Sequence, residues 1–150
     1  EQDYWVTNRQ VFEEAFGPDA SEEEVVSIIT HLLQSQFKYF YQEKEMQHVI
    51  LSEITHDHDL LKRLSANREQ MAETFFEHTY RFFETTSINF RGITALLNAG
   101  IYYLVLQSQK NEATNCGLNI RKEEDRAIIL QSIQQIMNWT FKQAEIESKM

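Results

Sequence analysis

Apolar residues recur along most of the chain at the three- and four-residue spacing of an amphipathic helix. The clearest stripe follows Ser21-Glu22-Glu23-Glu24, where the Ser21 hydroxyl and the Glu24 carboxylate are placed to form a capping box. The sequence therefore predicts that a helix begins here. Its apolar face, interrupted by one polar residue, carries Val25, Ile28, Ile29, Leu32, Leu33, Gln36 and Phe40.

The same spacing predicts five more helices and no strand. The breaks between them include Gly17-Pro18, N-caps at Asp57 or Asp59 and at Ser87 or Asn89, and a polar loop. With 4 Gly and 1 Pro in 150 residues, the chain has too few turn residues for an all-β domain. We therefore expect one all-α domain over residues 1–150, an antiparallel helical bundle with helices near residues 3–16, 21–40, 45–55, 59–85, 89–110 and 121–145.

The formal charge of −9 is concentrated in the first part of the chain. Residues 1–59 hold 13 acidic and 3 basic side chains, a balance of −10, whereas residues 60–150 hold 10 and 11, a balance of +1. An acidic surface repels phosphates, and no basic stripe offsets it. We therefore expect no direct nucleic-acid contact from these residues.

Several features indicate a soluble, cytoplasmic protein without a membrane partner. The single cysteine, Cys116, excludes a disulfide framework and fits a reducing compartment, and we expect it to be a free thiol in an exposed loop. The chain starts with acidic residues where a signal peptide would be basic. The longest apolar stretch, residues 93–106, is broken by Asn98 and is shorter than the ~20 residues that span a bilayer.

The fifth and sixth predicted helices carry more apolar surface than one small monomer can cover. The fifth is apolar on all sides, and Ala95 and Ala99 leave a flat strip that a second helix could approach closely. One alternative is that both helices are central in a monomer. We favour a homodimer in which they form a four-helix bundle across a two-fold axis, with Ala95, Ala99, Tyr103, Ile129, Ile133, Ile136, Met137 and Thr140 at the interface.

Polar residues within apolar stripes point to a small-molecule pocket. Gln36, Arg68 and His78 each lie within or beside an apolar face, and a buried polar group needs a partner, which a ligand can supply. Each could instead be satisfied within an ordinary core. The pocket interpretation predicts a hydrophobic or aromatic ligand of modest size, with an anionic end for Arg68. The predicted lining is Gln36, Phe40, Arg68, Met71, Phe75, His78, Phe82 and Tyr102.

Metal and enzyme chemistry have weaker support. Glu45/His48 and Glu53/His56 both have the Glu-x-x-His spacing of di-iron carboxylate proteins. However, the two units lie about 12 Å apart along one helix and cannot share a metal pair. Nucleophile elbows, phosphate-binding loops and dinucleotide fingerprints are all missing. We therefore predict no enzymatic activity, no catalytic residue, no cofactor and no metal.

Three segments resemble the C-terminal domain of TetR-type transcriptional regulators. Residues 93–106 look like the family's eighth helix, and the loop at Cys116-Gly117 followed by residues 128–136 is similar to the rest of its dimerisation hairpin. Residues 46–53 resemble its short sixth helix. The resemblance implies an effector-sensing, dimerising domain that binds a small hydrophobic molecule. It also implies that DNA is bound only through an N-terminal helix-turn-helix, which these residues do not contain, because Glu1 falls where the connecting fourth helix should be.

Two functional classes remain open from the sequence. The first is the ligand-binding and dimerisation domain of a TetR-type regulator. The second is a stand-alone helical metal-binding protein or enzyme that uses the Glu-x-x-His units.

Overall fold

The computed structural model describes residues 16–17, 19–110 and 114–150, and the regular structure in these ranges is entirely helical. The predicted first helix, residues 3–16, lies outside the described residues except for Phe16. Across the described ranges, no helix combines the length and the apolarity needed to cross a bilayer. The all-helical class is thus confirmed, with five helices: α1 (Glu22–Gln42), α2 (Lys44–Thr55), α3 (Asp59–Phe83), α4 (Phe90–Ser108) and α5 (Glu123–Ser148).

The helix starts follow from local capping. The Ser21 hydroxyl accepts a hydrogen bond from the Glu24 amide at 3.3 Å, and the Glu24 carboxylate accepts one from the Ser21 amide at 2.9 Å, which confirms the capping box. Asn89 caps α4 as predicted. The expected cap of α3 at Asp57 or Asp59 is wrong, because His58 is the N-cap and its Nδ1 accepts from the Leu60 amide.

Helix α1 is the centre of the fold and packs against α2, α4 and α5. Its apolar stripe is buried as the spacing predicts, and Val25, Ile29 and Phe37 are almost fully covered. Facing residues of α5 include Met137 and Phe141. Burying these side chains is the main stabilising contribution in this part of the molecule.

A sharp turn at Glu43 separates α1 from α2. The last carbonyls of a helix have no partner within the helix. Here the buried Gln47 side chain donates to two of them, at Phe40 (2.8 Å) and Tyr41 (3.0 Å). This side chain therefore fixes the angle at which α2 leaves α1.

Six phenylalanines form an aromatic cluster that joins α3, α4 and α5. The Phe83 and Phe90 rings stack with centroids 4.5 Å apart, and Phe141 meets both edge-on at 5.0 and 5.6 Å. Offset-stacked and edge-to-face contacts add stability beyond the burial of ring area. The aromatic cluster consists of Phe75, Phe76, Phe82, Phe83, Phe90 and Phe141.

A tight hairpin turn precedes α5. Asn115 and Leu118 exchange backbone hydrogen bonds at 2.9 and 3.0 Å, and Cys116 and Gly117 both have positive φ, +53° and +81°. Positive φ at both central residues is the requirement of a type I′ turn. The Cys116 thiol is free and exposed, as the sequence predicts.

Candidate ligand-binding cavity

A cavity of about 650 Å³ lies among α1, α2, α3 and α4. Its volume falls within the range of small-molecule pockets in proteins. Apolar side chains form most of its wall, among them Leu32 and Ile50 on one side and Met71 and Phe75 on the other. The cavity could therefore hold an organic molecule with a mainly apolar surface.

Five of the eight residues predicted to form a pocket line this one cavity, although they come from three different helices. They are Gln36 from α1, Arg68, Met71 and Phe75 from α3, and Tyr102 from α4. The lining residues of α3 lie between positions 65 and 76 and those of α4 between positions 91 and 102, so these side chains surround the same space.

The other three predicted residues do not line the cavity, and this part of the prediction is corrected. Phe40 is 1% exposed and lies behind Tyr102, with the two ring centroids 5.0 Å apart. His78 meets Phe16 edge-on, and its Nδ1 lies 2.7 Å from the Thr74 carbonyl. Phe82 belongs to the aromatic cluster. The stripe on α3 is longer than the cavity, so its last two turns lie in the solid core.

An ion pair between Glu53 of α2 and Arg68 of α3 forms the polar end of the cavity. The Glu53 Oε2 atom accepts from Arg68 Nη2, and the two side chains are only 13% and 14% exposed. The anionic ligand group expected opposite Arg68 is thus replaced by a carboxylate of the protein itself. Glu53 was predicted as a candidate metal ligand and as the end of the segment 46–53, but not as a wall residue. The signal in the sequence is a carboxylate just after the apolar run of residues 49–51.

Gln36 and Tyr102 form a second polar pair in the wall. Gln36 Nε2 donates to the Tyr102 hydroxyl at 3.2 Å. Burial raises the pKa of Tyr102 above its ordinary value of 10.0, and the nearby charge of Arg68 and the hydrogen bond from Gln36 partly oppose the increase. Tyr102 is therefore a neutral phenol over the physiological range and offers a hydroxyl rather than a charge.

Two further oxygens of lining residues are buried without a hydrogen-bond partner. They are Oε1 of Glu53 and Oδ1 of Asn98, on α2 and α4. A buried acceptor without a donor is destabilising by about 1–3 kcal/mol. The cavity wall thus carries unmet hydrogen-bonding capacity on two of its sides.

The outer edge of the cavity carries a second ion pair. Arg91 of α4 donates to both carboxylate oxygens of Glu73, at 2.7 and 2.8 Å, and its guanidinium lies 4.4 Å from the centre of the Phe76 ring. The Arg91 and Glu73 side chains are about half exposed. Mutual hydrogen bonding lowers the pKa of Glu73 and raises that of Arg91. The positive charge of Arg91 is therefore balanced by a carboxylate of the protein itself.

The small residues of α4 lie on the cavity side of the helix. Ala95 and Ala99 are exposed and line the cavity. Because neither side chain extends beyond Cβ, the space in front of them stays open. Their place in a dimer interface stays a prediction.

Most residues of α5 that were predicted to face a partner are covered within the protomer. Ile133 and Met137 are 3% and 0% exposed, and Thr140 is 7% exposed. Ile129 and Ile136 are half-buried against the same core. The interface prediction is therefore wrong for Ile133, Met137 and Thr140, which pack on the protomer's own core, and for Ile129 and Ile136 it stays a prediction.

Large apolar side chains do remain exposed on the opposite faces of the last two helices. On α4 they are Leu96 and the predicted interface residue Tyr103, 77% and 58% exposed. On α5 they are Ile128, Trp139 and Ile146, 45%, 61% and 49% exposed. We call these five residues the outer apolar surface. Within each helix they recur at intervals of two or three turns, so they lie along one face.

The Glu-x-x-His units do not converge in the structure. Glu45, His48 and His56 are exposed, and Glu53 is paired with Arg68. Among the residues that the structure describes, no group of three or more His, Cys, Asp and Glu side chains is arranged to hold a metal ion. Glu53 lies in the cavity wall, and His56 is the C-cap of α2, with its Nδ1 atom 2.8 Å from the Thr55 hydroxyl.

Comparisons with known proteins identify no relative. No family model matches the chain, and neither a curated protein nor a solved structure matches it significantly.

Proposed function

We propose that this chain is the effector-sensing and dimerisation domain of a TetR-type transcriptional regulator. The observation that carries the proposal is the cavity of about 650 Å³, with apolar walls and a few convergent polar groups. The resemblance of residues 46–53, 93–106 and 128–136 to the family's helices supplies the class. In this proposal DNA is bound by a helix-turn-helix outside these residues, and the domain itself catalyses no reaction.

Signalling would pass through the helices that enclose the ligand. A ligand that fits one arrangement of α1, α3 and α4 better than another shifts the population towards it. The first helix of the described chain, α1, contributes directly to the cavity wall through Gln36. Its movement would reach the segment that precedes it and, in the whole regulator, the DNA-binding heads.

The dimer is assigned to a second copy of this chain packed on the outer apolar surface. Trp139 and Leu96 are large apolar side chains more than half exposed, an arrangement typical of interaction surfaces. The resemblance to the TetR-type hairpin selects a second copy as the partner. Sedimentation should show a dimer for the native chain and a monomer for Trp139→Glu. The matched control is Leu60→Glu, an exposed apolar position on α3, which should remain dimeric.

A pair of substitutions on α3 tests the cavity. Ala72 lines the cavity and Ala66 is exposed on the same helix outside it. Ligands identified by thermal shift with the native chain should lose binding to Ala72→Trp, because the indole fills the space, and keep binding to Ala66→Trp. Equal binding to both variants would place the ligand site elsewhere. The finding that no apolar or amphiphilic compound raises the Tm of the native chain would overturn the proposed function.

A further inference from the structure

We infer that the cavity selects an organic cation, a protonated amine attached to an apolar body, over an anionic or neutral ligand of the same shape. The inference rests on the proposed ligand-binding function and concerns the charge of the ligand. Three observations support it: both arginines of the wall are paired with carboxylates, two buried oxygens of the wall lack a donor, and the charged side chains around the cavity have a net negative charge.

Both cations of the cavity wall are already engaged by carboxylates. Arg68 is paired with Glu53, and Arg91 is bonded through two nitrogens to Glu73. A ligand carboxylate would have to displace one of these protein carboxylates, which would then be left near another negative charge. An anion therefore gains little here, because exchanging one carboxylate for another adds no new ion pair.

Two buried oxygens of lining residues lack a hydrogen-bond donor, whereas the cation of Arg68 is paired with Glu53. Oε1 of Glu53 has no partner, and a carboxylate at neutral pH can only accept. The amide of Asn98, across the cavity on α4, also has its buried oxygen without a partner. A small rotation of the Glu53 side chain would bring Oε1 to the cavity surface, where a ligand N–H can donate to it while Arg68 keeps Oε2. An ammonium that donates several hydrogen bonds fits this arrangement better than a hydroxyl.

The charged side chains around the cavity have a net charge of −1, from three carboxylates and two arginines. The lining carboxylates Glu53 and Glu69, together with Glu73, face the two arginines Arg68 and Arg91. Glu69 is exposed, and Arg91, whose pKa it helps to raise, is engaged with Glu73. A cationic ligand would neutralise this excess, and the acidic first part of the chain adds a longer-range attraction.

Four eight-carbon amphiphiles separate charge from shape: octylamine, octyltrimethylammonium, octanol and octanoate, each titrated calorimetrically below its micelle concentration. The amine should bind about tenfold more tightly than octanoate, because a hydrogen bond between charged partners replaces a repulsion. Octyltrimethylammonium has the charge but no N–H, so it should bind more weakly than octylamine. Equal or tighter binding of octanoate would overturn the inference.

Substitution of Glu53 should reverse the preference. In Glu53→Gln the carboxylate is gone and Arg68 loses its counter-ion, so octylamine should bind about tenfold more weakly and octanoate more tightly. Octanol should change by less than about twofold. The control is Glu45→Gln, an exposed position on the same helix that does not line the cavity. Unchanged octylamine binding to a folded Glu53→Gln variant would contradict the inference.

A second variant covers the case in which Glu53→Gln does not fold. Glu69→Gln alters an exposed carboxylate and should weaken octylamine binding about twofold to threefold without affecting octanol. No change in octylamine affinity there would also contradict the inference. The proposed function fails separately: it falls if no apolar or amphiphilic compound, these four included, binds the native chain, and binding that survives Ala72→Trp places the ligand site elsewhere. If octanol or octanoate binds at least as tightly as octylamine and Ala72→Trp removes it, the ligand-binding function survives and the cation inference falls.

Discussion

The two halves of α3 present the same kind of apolar stripe but pack in different ways. Residues 65–76 line the cavity, whereas Thr79 and Phe83 are buried in a solid core. The two regions meet at Phe75 and Phe76, which line the cavity and also contact the Phe90 ring of α4. Beyond this point α4 presents the short side chains of Ala95 and Ala99 to the cavity, whereas Phe90 fills the space beside Phe83. Side-chain size on α4 is therefore one reason why one part of α3 closes into a core and another leaves room for a ligand.

The core end of α3 contributes mainly to stability, and the cavity end is where a ligand would bind. The aromatic cluster makes many ring contacts and should resist local opening, and the cavity end has fewer contacts and should open at lower cost. A ligand that binds the cavity end can then change helix positions without unfolding the other end. Substitutions in the aromatic cluster and at the cavity end should therefore differ in their effect on stability.

The largest effect is expected from Phe83→Ala in the aromatic cluster. Phe83 is 7% exposed and contacts the rings of Phe90 and Phe141, so its truncation should lower the free energy of unfolding by about 3–5 kcal/mol. Met71→Ala at the cavity end should cost less than about 1 kcal/mol, because Met71 is 36% exposed and already borders open space. Urea denaturation of both variants provides the comparison. Similar losses would mean that the two ends are packed alike.

A smaller loss is expected when the ion pair at the cavity end is broken. Arg68→Met leaves the Glu53 carboxylate mostly buried without its counter-ion, and should destabilise the protein by about 2 kcal/mol after allowance for its residual exposure. The double variant Glu53→Met and Arg68→Met should recover most of the loss, because apolar side chains of similar length replace both charges. Chemical denaturation of the single and double variants measures the difference. A double variant no more stable than the single one would argue against this account.

The sequence predicted the helices better than it predicted their partners. Local signals such as the Ser21 capping box and the Asn89 cap depend on neighbouring residues, and the structure has both. Periodicity also identified the buried faces of α1 and α5. It could not show which helix covers each face, so the core face of α5, with Ile133 and Met137, was assigned to a dimer.

The cavity was only partly predictable for the same reason. Gln36 and Arg68 stood out as polar residues within apolar stripes, and both line the cavity. Glu53 and Asn98 were missed as wall residues because their role depends on how α2, α3 and α4 are arranged in space, which helical spacing does not show. His78 was included because helical spacing alone does not show where along a stripe a cavity ends.

The next effect concerns the hydrogen bond between Gln36 and Tyr102 at the cavity end. Tyr102→Phe should lower stability by about 1 kcal/mol at pH 7, because the Gln36 amide loses this acceptor. The raised pKa of Tyr102 adds a pH dependence: its neutral form stabilises the fold fully below pH 10.0, and this contribution is lost as the pH rises through the raised pKa. The stability difference between native protein and variant should therefore shrink above pH 10.0. Denaturation at neutral and alkaline pH measures it, and a constant difference would contradict the assignment.

The smallest effect is expected beyond the aromatic cluster, where Glu147 of α5 holds the turn before α4. Its carboxylate accepts hydrogen bonds from the Ser87 amide at 2.7 Å and from the Ser87 hydroxyl at 3.0 Å. The hydrogen bond from the Ser87 amide is the main reason that the pKa of Glu147 is lowered from 4.5. A lowered pKa means that the anion stabilises the fold above pH 4.5 and that this contribution disappears as the pH falls through the lowered value. Glu147→Gln should therefore be slightly less stable than the native chain at pH 7 and equal to it in strong acid. Glu84→Gln, at an exposed position near the same turn, is the control and should change the free energy of unfolding at pH 7 by less than about 0.5 kcal/mol. Low pH removes the contribution of the Glu147 carboxylate, whereas high pH removes that of the neutral Tyr102 hydroxyl. The two ends of the fold should therefore lose stability at opposite extremes of pH, which denaturation across the pH range measures.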